Sequence, residues 1–429
     1  MLRRCFLQSL AGLAFAQPER FRASDGANNP MGEGKGIHPG RVVWVRDPKA
    51  ATWDGVTGHW WDDAYTDERA VHGMTARMLE NLTGRKNDKQ AWDALFRNFN
   101  DTHSAVGSGY RPGERIAIKV NCNQDRSPEW GTGGRALNGL PSPHAVDALV
   151  TQLIEVAGVR GDDILVYDAT GLRNVGQPIY MRIRANSNRQ FQAVQFLAGT
   201  DYSLGGRMAA EPDMANPIRF SKEGLPAAYV PKQVTEAKYV VNMALLRPHG
   251  MAGVTLIGKN HFGSVYFPNE GGWSPRALHG YVTRTQPAGS YNALVDLMGH
   301  RHLGGKTMLY VLDGLYSAEH NEGNVQRWAS FGDQWASSLL MSQDPVAIDS
   351  VGLDILSGEP RATAVRGNAD NYLHEAARAS KPPSGTVYDP DGRGTLASLG
   401  VHEHWNNPVE RKYSRNLGRK EGIELIASV

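Results

Sequence analysis

The sequence predicts an α/β protein with a mostly parallel sheet and helices on both faces. Three observations lead to this fold class: strand-like and helix-like segments alternate along the chain, the strand-like segments are short and apolar, and helices begin and end at recognisable signals. Such alternation favours parallel strands that are joined by right-handed crossovers. The expected arrangement is Rossmann-like, and long irregular insertions interrupt it.

The clearest unit is a strand, a helix and a second strand between residues 115 and 168. The sequence RIAIKVN at Arg115–Asn121 is typical of a buried strand that ends in polar residues. Ser142 and Pro143 provide an N-cap and a first-turn proline for an amphipathic helix that ends at Gly158. DILVYD at Asp163–Asp168 follows as the next strand.

Further segments extend this pattern on both sides. Strands are predicted at Arg41–Asp47, Ala193–Leu197, Lys238–Leu245, Lys306–Leu312 and Ser338–Met341, and helices within Asp67–Asn98 and at Val346–Leu356 and Asn371–Ala379. The dipeptide Thr83-Gly84 divides the first of these helical regions into two helices. Segments 201–231 and 263–287 are rich in Gly, Pro and aromatic residues without a clear period, and loops of this length often line a site.

The composition excludes several classes of protein. With 41% hydrophobic and 21% charged residues the chain is typical of globular proteins, and its formal charge of +2 without a basic tail argues against a nucleic-acid partner. No stretch approaches about 18 consecutive apolar residues, which argues against a transmembrane segment. The two cysteines, Cys5 and Cys122, cannot hold an iron–sulfur cluster, so any metal must use His, Asp, Glu or Asn.

The first 16 residues predict export. Adjacent Arg3 and Arg4, a short apolar run and the A-x-A pattern at Ala14–Ala16 resemble a twin-arginine signal, which gives a periplasmic or secreted protein that meets the Tat translocase during export. The alternative is a basic arm on a cytoplasmic protein. We expect residues 17–40 to be a linker, 41–381 to form one α/β domain and 382–429 to wrap irregularly around it.

Ligands of an open parallel sheet bind beyond the carboxyl ends of its strands, so polar residues at those ends are the first candidates for a site. The candidates for cofactor binding are Lys119, Asn121, Asp125, Arg126, Arg247 and Asn260. Asp168 and Asp313 end two further strands, and we expect them to act in catalysis by orienting polar groups.

The segment Leu246–Val265, LRPHGMAGVTLIGKNHFGSV, is the most informative. His249 and Lys259 lie ten residues apart on either side of a glycine-rich stretch. An imidazole titrates near neutrality, and burial can lower the pKa of a lysine towards it, so the pair could supply a base and a cationic or covalent anchor. The alternative is a loop with a surface histidine and lysine.

Five ordered motifs carry a family resemblance. They are IKVN at 118–121, SPH at 142–144, Asn242 followed by HGMAGVT and KNHFG at 249–263, DG at 313–314 and SQDPVAID at 342–349. Together they resemble the domain of unknown function 362 family, which implies no activity. Some members carry iron–sulfur cysteines, and this chain has none.

A second resemblance is to nickel-dependent lactate racemases. Pro248-His249-x-x-Ala252-Gly253 followed by Lys259 is similar to their segment in which a histidine transfers a proton and a lysine tethers a nickel-pincer nucleotide. The resemblance implies that His249 is a proton acceptor and that Lys259 is the attachment point. The turn Ala169–Arg173 lacks the second catalytic histidine of those enzymes.

Metal ligands are predicted in two places. His402 and His404 lie on one face of an extended segment, a spacing compatible with zinc or iron, and Glu319, His320 or Asp313 could add a third ligand. His261 is a candidate ligand beside Lys259. The alternative for each is a hydrogen-bonded polar loop.

The sequence therefore suggests two functions. The first is an exported enzyme that acts on a hydroxylated or carboxylated small molecule, such as a sugar acid, by acid/base isomerase, lyase or redox chemistry, with a divalent metal as the candidate cofactor. The second is an extracytoplasmic binding protein for a carbohydrate or metabolite, which would use the same cleft without catalysis.

Overall fold

The computed structural model describes residues 28–103, 107–123, 139–170, 177–199, 208–270 and 272–428. The predicted export signal and the candidates Asp125 and Arg126 lie outside these ranges. Within them, no helix combines the length and the apolar character that crossing a lipid bilayer requires.

Fifteen strands occur in the described residues. They are β1 (Met31–Gly32), β2 (Arg41–Arg46), β3 (Ile116–Lys119), β4 (Ile164–Tyr167), β5 (Gln195–Ala198), β6 (Met208–Ala209), β7 (Pro212–Ile218), β8 (Ala228–Pro231), β9 (Tyr239–Leu245), β10 (Arg247–His249), β11 (Gly253–Thr255), β12 (Thr307–Gly314), β13 (Ser338–Ser342), β14 (Val401–His402) and β15 (Glu424–Ser428). Nine of them form the main sheet in the order β15-β2-β13-β12-β9-β3-β4-β5-β6. Only β13, among these nine, runs antiparallel to both neighbours, so the predicted mostly parallel sheet is confirmed.

Helices cover both faces of this sheet. They are α1 (Glu68–Thr83), α2 (Asp88–Thr102), α3 (Pro143–Thr151), α4 (Gln177–Ala185), α5 (Arg189–Ala193), α6 (Lys232–Thr235), α7 (Ile257–Asn260), α8 (Ala293–Gly299), α9 (Pro345–Gly358) and α10 (Asn371–Ala377). One apolar core joins alternate strand residues to α1, α2 and α3, and the other joins the intervening strand residues to α8, α9 and α10. This two-sided burial explains the continuous apolar runs of the strands.

Local signals fix several helix ends where the sequence predicts them. Asp67 accepts a hydrogen bond from the N–H of Ala70 and so caps α1, and Gly84 ends that helix in the left-handed conformation at φ 66°. The predicted division at Thr83-Gly84 is confirmed. Pro143 begins α3, but Ser142 caps it without a side-chain bond, since its backbone N–H donates to Asp313.

The order of the strands creates a crevice beside β3. From β3 the chain moves outward through β4 and β5, and it then returns to place β9 on the other side of β3. The carboxyl ends of β3 and β9 therefore meet where the strand order reverses, which is where open parallel sheets bind ligands.

The C-terminal segment is more regular than we expect from its sequence. β14 pairs with β1, and β15 joins the edge of the main sheet beside β2. In the insertion 201–231, the described part contains the antiparallel pair β7 and β8. β14 and β15 depend on partners that are distant in the chain, so a local pattern does not reveal them. β7 and β8 pair within the insertion itself, whose sequence has no clear period.

Candidate active site

A cavity of about 520 Å³ lies at the carboxyl ends of β3, β4 and β9. Its walls come from the β10–β11 hairpin, from α7 and from the irregular segment that contains Trp273 and His279. Seven of the residues that the sequence singles out line it: Lys119, Asn121, Asp168, Arg247, His249, Lys259 and Asn260.

The floor of the cavity is a buried ion pair. The Nζ of Lys119 lies 3.3 Å from Asp168 Oδ2 and donates to Asn260 Oδ1 over 3.1 Å. Burial lowers the pKa of Lys119, and the charge of Asp168 opposes this effect. Asp168 also accepts hydrogen bonds from the backbone N–H groups of Cys122 and Thr170. The pair is therefore held in place from two strand ends.

Gly263 leaves room for this ion pair. A Cβ at this position would lie 2.4 Å from both Asp168 Oδ1 and Lys119 Nζ, which is closer than real contacts allow. The glycine-rich character of the segment thus has a specific cause at this position.

His249 has one ring nitrogen turned to the backbone. Its Nδ1 accepts hydrogen bonds from the N–H groups of Met251 and Ala252, at 3.1 and 3.2 Å, in the turn between β10 and β11. Burial is the main cause that lowers the pKa of His249 well below its usual value, and the charge of Arg247 adds to it. The ring is therefore neutral at pH 7 and carries its proton on Nε2. The racemase resemblance implies a proton acceptor here, whereas these hydrogen bonds make Nε2 a donor.

Lys259 reaches the same cavity from α7. Its Nζ lies 3.3 Å from the centre of the Phe262 ring, and the residue is 7% exposed. Burial lowers its pKa well below the usual range for lysine. Burial therefore favours the neutral amine, which is the form that can accept a proton.

Arg247 is a buried cation in the wall of the cavity. It is 2% exposed, and its Nη1 donates to the carbonyl of Gly139. Burial lowers its pKa to about 10, so it remains charged at neutral pH. In the part of the chain that the structure describes, no carboxylate charge offsets the effect of burial on the pKa of Arg247, and its Nε has no hydrogen-bond partner.

Three more buried polar atoms of the lining lack a partner among the described residues. They are Asn121 Oδ1, Thr255 Oγ1 and Trp273 Nε1. These lining residues therefore carry two acceptor-capable oxygens and one N–H donor whose hydrogen-bonding capacity is unused among the described residues. The sequence singles out Asn121 as a strand end, but Thr255 belongs to an apolar strand and gives no signal of its own.

Asp313 lies apart from the cavity lining. Its carboxylate accepts hydrogen bonds from the N–H groups of Ser142 and Leu315, at 2.7 and 3.1 Å, and thereby ties the start of α3 to the end of β12. Burial raises its pKa to about 6. We therefore replace the expected catalytic role with a structural one, since both carboxylate oxygens serve backbone groups.

Two predicted metal ligands lie apart from any cluster of ligands in the described residues. His261 is buried behind α7, and its Nε2 accepts from Asn242 Nδ2 over 3.2 Å. Burial lowers its pKa to about 3, with a contribution from Lys119. Glu319 is half-exposed beside His320. His402 and His404, by contrast, lie together with Asp370 and His374, which the sequence reasoning missed.

The residues fit a tethered nickel cofactor only in part. Lys259 lines the cavity as an attachment point would, and His279 also lines it. His261 has its Nε2 engaged with Asn242 and is not part of the lining. We therefore assign no step to such a cofactor.

Two comparisons relate the chain to known proteins. A family model described as "Domain of unknown function (DUF362)" matches residues 116–354, which run from β3 into α9 and include Lys119, Arg247, His249 and Lys259. A thylakoid-associated protein of Synechocystis sp. is 26% identical over 272 residues, which cover 62% of this chain and 70% of that protein. The family match covers more than half of the chain and confirms the resemblance of its motifs. The chain belongs to the DUF362 family.

Proposed function

We propose that the protein is an enzyme that moves a proton on a small hydroxylated carboxylate, such as a sugar acid. The observation that carries the proposal is Arg247, a buried guanidinium in the cavity wall on which no carboxylate charge of the described residues acts. A buried charge without a counter-ion is costly, and an anionic ligand would provide that counter-ion. Guanidinium groups bind carboxylates through paired, charge-assisted hydrogen bonds.

The proton transfer uses the neutral amine of Lys259 as the base. In its neutral state this amine can take a proton from the carbon next to the carboxylate of the ligand. As the proton leaves, negative charge develops on the carboxylate oxygens. The Nε2–H group of His249 donates a hydrogen bond to one of these oxygens and stabilises the charge.

The polar lining favours a ligand with hydroxyl groups. The oxygens of Asn121 and Thr255 and the N–H of Trp273 have no partner among the described residues, and hydroxyl groups can donate to oxygens and accept from an N–H. The indole of Trp273 also offers an apolar face to a sugar-like carbon chain. Together with Arg247, these groups favour a hydroxylated acid over an uncharged sugar.

Calorimetric titration with gluconate and glucose tests the binding step. The two compounds have similar hydroxyl groups, but only gluconate carries a carboxylate. We expect binding of gluconate and not glucose, and about 10- to 100-fold weaker binding of gluconate by Arg247→Gln. Equal binding of the two compounds, or an unchanged affinity in the variant, would contradict the assigned role of Arg247.

The second candidate function is binding without catalysis, because an anion-binding cavity serves a binding protein equally well. His249→Gln separates the two functions. It removes the imidazole that stabilises developing charge, so turnover falls while affinity is largely kept. A protein that binds gluconate and related sugar acids but turns over none of them is a binding protein.

We also propose that the protein is exported by the twin-arginine pathway. The support is the Arg3-Arg4 pair and the Ala14–Ala16 pattern. Replacing both arginines with lysine should keep the full-length precursor in the cytoplasm in cell fractionation. Equal export of the variant would exclude this pathway.

A further inference from the structure

Four buried side chains form a cluster away from the cavity. Asp370, at the start of α10, His374 within α10, and His402 and His404 of the C-terminal segment each offer a ligand atom, and these atoms lie within 4.8 Å of one another. All four residues are more than nine-tenths buried. None of them lines the cavity described above.

We propose that this cluster is a closed binding site for a divalent transition-metal ion of the zinc type. Three imidazoles and one carboxylate are a donor set that Zn²⁺ binds in tetrahedral geometry. Ligand atoms in such a site lie roughly 3.3 Å apart, so separations that are now within 4.8 Å would shrink by at most about 1.5 Å. The four ligands leave no open position, and the ion would therefore have a structural role.

The hydrogen bonds of His402 are a second observation that points to a metal ion. Its Nδ1 lies 2.8 Å from Ser350 Oγ, and that hydroxyl donates its single hydrogen to the carbonyl of Val346 over 2.7 Å. Nδ1 must therefore carry the hydrogen and donate to Ser350, which leaves a lone pair on Nε2. This Nε2 is buried and has no hydrogen-bond partner among the described residues. A lone pair in this state is suited to a metal ion.

His404 has the supporting contacts typical of a metal ligand. Its Nδ1 lies 2.6 Å from Asp354 Oδ1, while its Nε2 is turned towards Asp370, 3.9 Å from Oδ2. Asp354 is itself held by the N–H of Trp405 and the hydroxyl of Tyr413. A carboxylate that orients the far nitrogen of a histidine is common in zinc sites. Asp354 and Asp370 together would balance the two charges of the ion.

A second group of potential metal ligands differs from this cluster because an arginine pairs with its carboxylates. Glu68, His72 and Asp147 also lie close together, but Arg182 forms ion pairs with both carboxylates, at 2.8 Å from Glu68 and 3.3 Å from Asp147. The guanidinium already neutralises these carboxylates. We therefore assign a metal only to the buried cluster.

The ion would attach the C-terminal segment to the domain. His402 and His404 belong to that segment, Asp370 and His374 belong to the region of α10, and Ser350 and Asp354 support the ligands from α9. This site is independent of the proposed proton transfer, and the test below does not use activity.

Metal titration of the full-length protein tests the site. The protein is first dialysed against a chelator and then titrated with Co²⁺, which reports tetrahedral binding through its visible absorption, and with Zn²⁺ in competition. We expect the wild type to bind one Zn²⁺ per chain. Ser350→Ala should bind Zn²⁺ about 10- to 100-fold more weakly, because it keeps all four ligands but loses the hydroxyl that orients the His402 ring.

His402→Gln should lose the Co²⁺ spectrum, and the matched control His300→Gln should keep it. His300 is also a buried histidine beside a carboxylate, 3.2 Å from Asp391, but it belongs to no such ligand cluster in the described part of the chain. If His402→Gln does not fold, the metal affinity of Ser350→Ala decides whether the cluster binds the ion. Less than about one tenth of an equivalent of metal in the wild type would overturn the proposal. Equal affinities of the wild type and Ser350→Ala would also overturn it.

Discussion

At His249, the hydrogen bonds of one ring nitrogen decide the role of the other. Two backbone N–H groups of the β10–β11 turn occupy Nδ1, so the neutral ring presents an Nε2–H group. The sequence identifies the residue, but not its tautomer, because the tautomer depends on how the turn places Met251 and Ala252. The proton acceptor of the proposed reaction is consequently Lys259.

The lowered pKa of Lys259 can be measured directly. Reductive methylation with ¹³C-formaldehyde labels lysine amines for NMR. The signal of Lys259 is identified by its absence in Lys259→Met, and its chemical shift is then followed as the pH changes. Because burial disfavours the charged form, we expect this amine to lose its proton well below the ordinary lysine pKa of about 10.4. Titration at that ordinary value would exclude the amine as a base at neutral pH.

Gly263 should tolerate no side chain. In Gly263→Ala, the new Cβ would collide with Lys119 and Asp168, and we expect a loss of about 1–3 kcal/mol in the free energy of unfolding, together with weaker gluconate binding. The control Gly280→Ala lies in the same irregular region, where a Cβ meets no atom within 4 Å. Urea denaturation compares the two variants, and equal stabilities would contradict the described packing.

At the scale of elements, α7 is a single turn that depends on α9. Asp349 accepts hydrogen bonds from the N–H groups of Ile257 and Gly258, at 2.8 and 2.9 Å, and another from the hydroxyl of Tyr372. A helix this short is not stable alone, so these contacts hold Lys259 in the cavity wall.

Asp349→Ala should therefore destabilise the protein strongly. It leaves two buried N–H groups and one hydroxyl without an acceptor, at a cost of about 1–3 kcal/mol for each unsatisfied group. Asp67→Ala, which removes the exposed cap of α1, should cost only about 1 kcal/mol. If chemical denaturation gives similar losses for both variants, Asp349 does not anchor α7.

The sequence predicts the site residues at the strand ends better than the other residues that surround the cavity. Lys119, Asp168 and Arg247 follow apolar runs, and parallel strands bring such ends to one edge. The direction of His261, one residue beyond α7, is set by its contact with Asn242 and has no local signal. The four-residue spacing of Asp370 and His374 could have identified a shared helix face.

At the scale of the whole molecule, the C-terminal segment completes the sheet. β15 pairs with β2 over five residues, and Leu425 packs into the core with 7% exposure. Its sequence alone does not predict this pairing, because the partner strand lies more than 370 residues earlier in the chain.

Leu425→Ala measures the contribution of this strand. We expect the free energy of unfolding to fall by about 2 kcal/mol or more, because the variant leaves a cavity beside β2. Leu417→Ala is the control, since Leu417 is 46% exposed and its truncation should change stability by less than about 0.5 kcal/mol. Equal effects in urea denaturation would show that β15 does not contribute to the core.

The most direct test of the proposed proton transfer is hydrogen exchange in D₂O, followed by ¹H NMR at the carbon next to the carboxylate of gluconate and related sugar acids. We predict that the wild-type protein exchanges this hydrogen in at least one of these acids, and that Lys259→Met slows the exchange by about 100-fold or more while it still binds that acid. Exchange that continues at the wild-type rate in Lys259→Met, or binding of these acids without any exchange by the wild type, would contradict the proposal.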